Sequence, residues 1–324
     1  MNNILITGGA GFIGSTLANF YSKDHKVTVI DDLSMGSKSN LETTANLCFI
    51  EGSVTDHELM TEVLTQTQFD YIFHLAAIAS VADSVARPLE THQINFDSVF
   101  QLLELVRNNQ FGLKRLLFAS SAAVYGDEPT LPKQEESVIR PLTPYAIDKF
   151  AAEKYVVDYY HLYDIPTSAV RFFNVYGPKQ NPESPYSGVI SIMMDRYKKL
   201  LNKEATTFTM FGDGTQSRDF VFIEDVIQAL NLIATSQDSL GEVYNIGTGE
   251  AIDLNKLVST INDLLEVDLP ICYEEERSGD IKHSLADISK VKAVGYQPKY
   301  NIKSGLEKYV SYELANRDKE GLDN

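Results

Sequence analysis

Six short apolar runs recur along the first half of the chain: Ile4 to Thr7, Val27 to Ile30, Leu47 to Ile50, Tyr71 to Leu75, Leu116 to Ser120 and Ser168 to Phe172. Between them lie segments of helical length, among them Gly14 to Lys23, His57 to Thr65, Pro88 to Asn109 and Pro144 to Tyr163. Strands that are continuously apolar, separated by helices, predict a parallel sheet covered on both faces. The expected fold is therefore α/β, a doubly wound Rossmann-type domain over residues 1–175 with ligands at the carboxyl ends of its strands. After Phe172 the pattern changes. Gly177 to Pro185 is dense in turn formers and a helical stretch runs from Val189 to Leu201, which predicts a smaller C-terminal substrate-binding unit. A further apolar strand, Glu242 to Ile246, suggests a return of the chain to the first sheet. The expected second domain comprises residues 176–218 and 257–315, the return lies at about 219–256, and 316–324 form a polar tail.

Composition narrows the class. The 324 residues are 44 % hydrophobic, ordinary for a packed core, and no apolar run approaches the roughly 20 residues of a membrane span. Without a signal-like start, a cytoplasmic location is expected. The net charge of −17 opposes binding to nucleic acid or to anionic membrane, so neither is expected as a partner. Cys48 and Cys272 are far apart and read as two buried thiols of a reducing compartment. The six histidines show no ligand spacing, so no metal is expected.

The chemistry starts at Ile4-Leu5-Ile6-Thr7-Gly8-Gly9-Ala10-Gly11-Phe12-Ile13-Gly14, a glycine-rich turn between strand and helix. Gly8 permits the tight turn, Gly11 lets backbone approach a pyrophosphate, and Gly14 allows close helix-strand packing, with the helix N-terminus facing the phosphates. The second strand ends at Asp31, 23 residues after Gly8. Its carboxylate can accept from the ribose hydroxyls and would repel a 2′-phosphate, which favours NAD over NADP.

This turn, with Tyr145-Ala146-Ile147-Asp148-Lys149, resembles the extended short-chain dehydrogenase/reductase superfamily, and within it the UDP-sugar 4-epimerases acting on UDP-hexoses and UDP-N-acetylhexosamines. The resemblance covers nearly the whole chain. It implies cofactor contacts at Phe12 and Ile13, at Asp31 and Asp32 through Ser34 and Met35 to Gly36, at Leu75, Ala76 and Ala77, and at Asn95 and Phe173. One departure is Ser53, before Val54, where the family usually has an aspartate that meets the adenine amine; a serine accepts more weakly.

Tyr145 and Lys149 are four apart on a predicted helix and share a face. An adjacent ammonium and the positive nicotinamide are expected to bring the phenol down from about 10 toward the working range of a general base. Ser121 would share a hydrogen bond with the reacting hydroxyl, and Ser120 lies beside it. These parts suit reversible oxidation of an alcohol. In a 4-epimerase the 4-keto sugar turns over and takes the hydride back on its other face. Related 4,6-dehydratases carry Thr-Asp-Glu where this chain has Ser121-Ala122-Ala123, and alanine offers neither acid nor base.

The resemblance places the nucleotide sugar against Asn174, Gln180, Val189, Met210 and Phe211. Arg218 and Arg277 would clamp its pyrophosphate, as guanidinium forks suit phosphate oxygens; Asp280 would position Arg277 or meet a ribose hydroxyl. Ser284 stands where some epimerases restricted to UDP-glucose and UDP-galactose have tyrosine, leaving room for a 2-acetamido group. A UDP-glucuronate 4-epimerase, a decarboxylase, dehydratase or reductase, and a non-catalytic NAD-binding module are the alternatives. The helices Pro88 to Asn109 and Pro144 to Tyr163 resemble the pair through which these enzymes form homodimers; Tyr155, Tyr159 and Tyr163 repeat there, a spacing core packing explains equally well.

Overall fold

A computed structural model describes residues 1–181, 188–276 and 281–320, with side chains to 315 in the last stretch. The first half runs β1 (Asn3–Thr7), α1 (Phe12–Tyr21), β2 (Lys26–Asp31), β3 (Leu47–Glu51), α2 (His57–Gln66), β4 (Tyr71–His74), α3 (Val81–Ala86), α4 (Pro88–His92), α5 (Ser98–Asn109), β5 (Arg115–Ser121), α6 (Pro144–Tyr163) and β6 (Thr167–Phe172). The second half runs β7 (Asn174–Tyr176), α7 (Val189–Leu201), β8 (Phe208–Phe211), β9 (Ser217–Phe222), α8 (Ile223–Thr235), β10 (Val243–Ile246), β11 (Ala251–Asp253), α9 (Leu254–Leu265), β12 (Ile271–Glu274), α10 (Ser289–Ala293) and α11 (Ile302–Glu320). The stretch read as one helix from Pro88 to Asn109 contains a π turn at Gln93–Asp97 that joins α4 to α5.

Seven strands form one sheet in the order β10-β6-β5-β4-β1-β2-β3, all paired parallel. The α/β, Rossmann-like fold expected from the strand pattern is thus present. Alternate residues feed opposite layers: Ile4 and Ile6 pack into the core on one face of the sheet, Leu5 into the core on the other. Away from the edge strand β3 both faces are dry, which is why the inner strands carry few polar positions. β1 leads to β2 on one side and has β4 on the other, so the strand order reverses beside β1. A crevice opens at such a point, at the carboxyl ends of the strands.

The remaining strands form two small sheets, β11-β9-β7 and β12-β8. α8 packs against α1 and β5, and β10 pairs with β6, so this stretch rejoins the first sheet. α11 continues to Glu320, so the segment expected as a polar tail from residue 316 begins as helix. The two cysteines are exposed, against expectation. Cys48 lies on the partly exposed edge strand β3, and Cys272 on β12 of a two-stranded sheet, where Cys272, Tyr273 and Glu274 all meet solvent.

Candidate active site

The turn between β1 and α1 is fixed by sterics. Gly8 has φ +67°, and a Cβ there would lie 2.7 Å from the backbone of Ala76; a Cβ on Gly14 would lie 2.2 Å from the Gly8 carbonyl oxygen. These contacts press α1 against the turn and the turn against the strand end after β4. At Gly11 a Cβ would meet only the Gly8 oxygen, at 3.3 Å, and Gly11 lines the groove, so a side chain there would occupy the cradle itself. Gly11 caps α1 without a side chain, which leaves the first-turn N–H groups for an anion.

That turn is one wall of a groove of about 830 Å³. Gly8, Gly11, Phe12, Ile13, Gly14, Asp31, Asp32, Ser34, Met35, Gly36, Ser53, Val54, Leu75, Ala76 and Ala77 line it, as do Ser120, Tyr145, Lys149 and Gln180. Asp31 ends β2 with its carboxylate accepting from Ala10 N (2.9 Å) and Leu33 N (2.8 Å). Burial raises its pKa, against those backbone donors. The fit to a dinucleotide is complete along this wall: an anion cradle, a carboxylate one strand away and a long crevice between them.

Asn95 is fully buried outside the groove. Its amide accepts from Ile78 N and donates to Ile78 O, both at 2.9 Å, so it shapes the loop after β4 from behind. Phe173 is likewise buried in the core. Sequence reasoning missed Ile78, Phe172 and Lys179 in the lining, and Tyr312 and Glu313 from α11. Lys179 follows directly on the Gly177-Pro178 turn, which could have flagged it; its Nζ donates to Asn40 O at 2.7 Å. Nothing in the sequence of α11 signals the other two.

Thr143 caps α6 by accepting from Ala146 N, Pro144 opens the helix, and Tyr145 and Lys149 follow on one face. Both are buried. Lys149 Nζ donates to Ala119 O on β5 at 2.9 Å and lies 4.8 Å from the Phe118 ring centre. Burial pulls the Lys149 pKa down to about 7. Burial likewise drives His74, at the end of β4, down to about 3, and Lys149 adds to that shift. The Tyr145 phenol is pushed up by burial, and the neighbouring Ser121 hydroxyl pulls it back. The lowering expected from Lys149 is joined to that of the positive nicotinamide of bound NAD; within the protein alone, the partner that lowers the phenol is Ser121.

The other expected substrate contacts among the described residues are spread over the two small sheets, α7 and the segment after β12, and the groove's lining includes none of them. Met210 and Phe211 end β8, Asn174 starts β7 and pairs with Phe220 of β9, and Val189 starts α7. Arg218 on β9 donates to Ser217 O (2.9 Å) and Lys282 O (3.2 Å). Ser284 lies alongside, its N–H donating to Ser217 O at 3.1 Å. Arg277 and Asp280 lie outside the described residues. Among the described residues there is no cluster of three or more His, Cys, Asp or Glu suited to a metal, and no helix is long and apolar enough to cross a membrane.

The family model described as "NAD dependent epimerase/dehydratase family" matches residues 4–247. The chain belongs to this family. Its cofactor is NAD, in keeping with the groove. A UDP-glucose 4-epimerase of Mycolicibacterium smegmatis is 34 % identical over 314 residues, 95 % of this chain and 97 % of that one. Among solved structures, a UDP-N-acetylglucosamine 4-epimerase from Methanobrevibacter ruminantium M1, in complex with UDP-N-acetylmuramic acid, is 38 % identical with a TM-score of 0.89, covering 97 % of this chain and 99 % of that one. A UDP-glucose 4-epimerase from Thermotoga maritima, with UDP-glucose, is 35 % identical with the same TM-score and coverage. In this chain Tyr145 and Lys149 line the groove beside Ala119 and Ser120 at the end of β5.

Proposed function

We propose that this protein is an NAD-dependent 4-epimerase of UDP-hexoses that interconverts UDP-GlcNAc and UDP-GalNAc, and UDP-glucose and UDP-galactose as well. The observation that carries the reading is the Tyr145 phenol hydrogen-bonded to Ser121, with Tyr145 and Lys149 lining the cofactor groove and Ala122 and Ala123 directly following Ser121. Tyr145, as the phenolate, takes the proton of the sugar 4-hydroxyl and returns it when the hydride comes back to C4. Ser121 hydrogen-bonds the phenol and the reacting oxygen, and Lys149 anchors α6 to β5 through Ala119 O. NAD, when bound, supplies the acceptor that takes the C4 hydride and gives it back. Elimination would need an acid and a base close to C5 and C6, and two methyl groups supply neither.

Two of the basic side chains along the described groove are held by carboxylates. Arg87 is engaged by Asp83 and Glu90, and Lys198 pairs with Glu313, so neither offers an uncommitted cation for a sugar carboxylate. Asn174, Gln180, Val189, Met210, Phe211, Arg218, Arg277, Asp280 and Ser284 remain the proposed contacts of the nucleotide sugar. The homodimer implied by the resemblance is supported by Phe100, Tyr155, Leu162 and Tyr163, which α5 and α6 leave exposed.

Incubating the purified protein with each of the four UDP-sugars, with product analysis by chromatography, tests the reading. Interconversion of the acetamido pair is expected. A 4-keto-6-deoxy product, or turnover confined to unsubstituted sugars, would overturn it.

A further inference from the structure

Behind the candidate active site lies a buried ion pair that the proposed chemistry does not use. Glu153 on α6 and Arg171 on β6 are 1 % and 4 % exposed. Arg171 Nη2 and Nε donate to the two carboxylate oxygens at 2.6 Å and 2.9 Å, a bidentate fork. Three further links leave this pair: Arg171 Nη1 donates to Glu135 O at 2.9 Å, and the other two flank Ser121. On one side the Ser120 hydroxyl donates to Glu153 Oε2 at 2.6 Å. On the other, Arg171 Nη1 donates at 2.8 Å to the Tyr125 hydroxyl, which itself donates to Asn245 Oδ1 at 2.7 Å. The strand end and the short turn after it are thus tied to one buried charge pair, and Ser121 sits between the ties.

α6 carries the matching pattern. Tyr145, Lys149 and Glu153 are spaced at four-residue intervals and share one face of the helix. Tyr145 meets Ser121, Lys149 donates to Ala119 O, and Glu153 accepts from Ser120, so three successive turns of the helix each grip one residue of the same strand end. A buried ion pair gives little net stability over apolar packing, so its cost is better matched by a geometric task.

We propose that Glu153 is a positioning residue of the active site: clasped by Arg171, it holds Ser120 and so sets Ser121 against the Tyr145 phenol. This inference rests on the reading of Tyr145 as the base. It also turns Ser120 away from the sugar, because its hydroxyl is committed to Glu153.

Glu153→Gln leaves Arg171 buried opposite a neutral amide and weakens the fold as a whole, so the deciding variant is Ser120→Ala, which keeps the ion pair. With NAD-saturated enzyme, Ser120→Ala is expected to lower kcat by about tenfold with KM for the UDP-sugar unchanged, and Ser120→Thr to restore most of it. Loss of the Ser121 contact also raises the Tyr145 pKa, so the rising limb of kcat with pH moves up by roughly half to one unit. The same shift is read without turnover as the alkaline absorbance titration of the holoenzyme minus that of Tyr145→Phe. A raised KM at unchanged kcat would place Ser120 on the substrate and overturn the inference. An unmoved phenol titration would overturn it too, whether or not the wild type epimerises any sugar, whereas an inactive wild type with a shifted titration sinks only the assigned reaction.

Discussion

Gly14→Ala adds one methyl group where every neighbour is backbone. Its Cβ would lie 2.2 Å from Gly8 O, 2.7 Å from Gly9 Cα and 2.9 Å from Gly8 C. Ordinary contact begins at 3.4 Å, so the turn or the helix must move by about 1 Å, and no flexible side chain can absorb the shift. Gly8 cannot yield freely, because its N–H donates to Ile30 O at 2.8 Å and Ala76 packs against it. Overpacking of this kind costs about 1–3 kcal/mol. The same movement displaces the first-turn N–H groups of α1 from the anion they face. Losing one charge-assisted hydrogen bond costs about 1.5–3 kcal/mol, so NAD affinity should fall roughly tenfold to a hundredfold. Calorimetric titration with NAD and thermal unfolding with and without the cofactor read the two effects separately. Gly112→Ala is the control: its Cβ would meet nothing within 4 Å, and both readings should stay at wild type. A Gly14→Ala protein that binds NAD within about twofold of wild type would refute the steric account of this turn.

Two further outcomes follow from the charges in the groove. Burial holds the folded-state pKa of Lys149 at about 7, below its unfolded value of 10.5, so between those values the unfolded chain binds more protons and stability rises with pH. Lys149→Met should therefore remove part of the gain in urea midpoint between pH 7 and 9, an effect of a few kcal/mol at most; equal pH slopes for variant and wild type would count against a desolvated amine. Asp31→Asn removes the carboxylate that bars a 2′-phosphate, so NAD should bind about tenfold more weakly while NADP loses little, as cofactor titrations will show; unchanged preference for NAD would place the discrimination elsewhere.

The strands of the large sheet were legible because each is short, bounded by turn chemistry and, apart from the edge strand β3, largely buried. Pro144 to Tyr163 and Val189 to Leu201 match helices residue for residue, since Pro144 at the first turn and Gly188 before Val189 mark their starts. The small sheets were not legible. β7 and β11 have three residues each and pair with β9 across long separations, and no periodicity survives over so few positions. The cysteines failed for a related reason: the average preference of thiols for burial says nothing about a strand at a sheet edge.

At the site, chain spacing located the residues and left their environments open. The motif holding Asn95 gives no sign that both its amide atoms are spent on Ile78, and Ser120 next to Ser121 gives none that its hydroxyl points to Glu153. Both facts depend on partners distant in sequence. The same holds for protonation. Four residues of separation argue for an ammonium stabilising a phenolate, yet desolvation acts on each group alone, lifting Tyr145 and lowering Lys149 toward their neutral forms. In that setting Ser121 is the group that draws the phenol back, which makes the placement of one hydroxyl decisive for the base. A carboxylate that fixes the strand on which that hydroxyl stands then bears on the proton transfer without touching the sugar, and Glu153 is in that position.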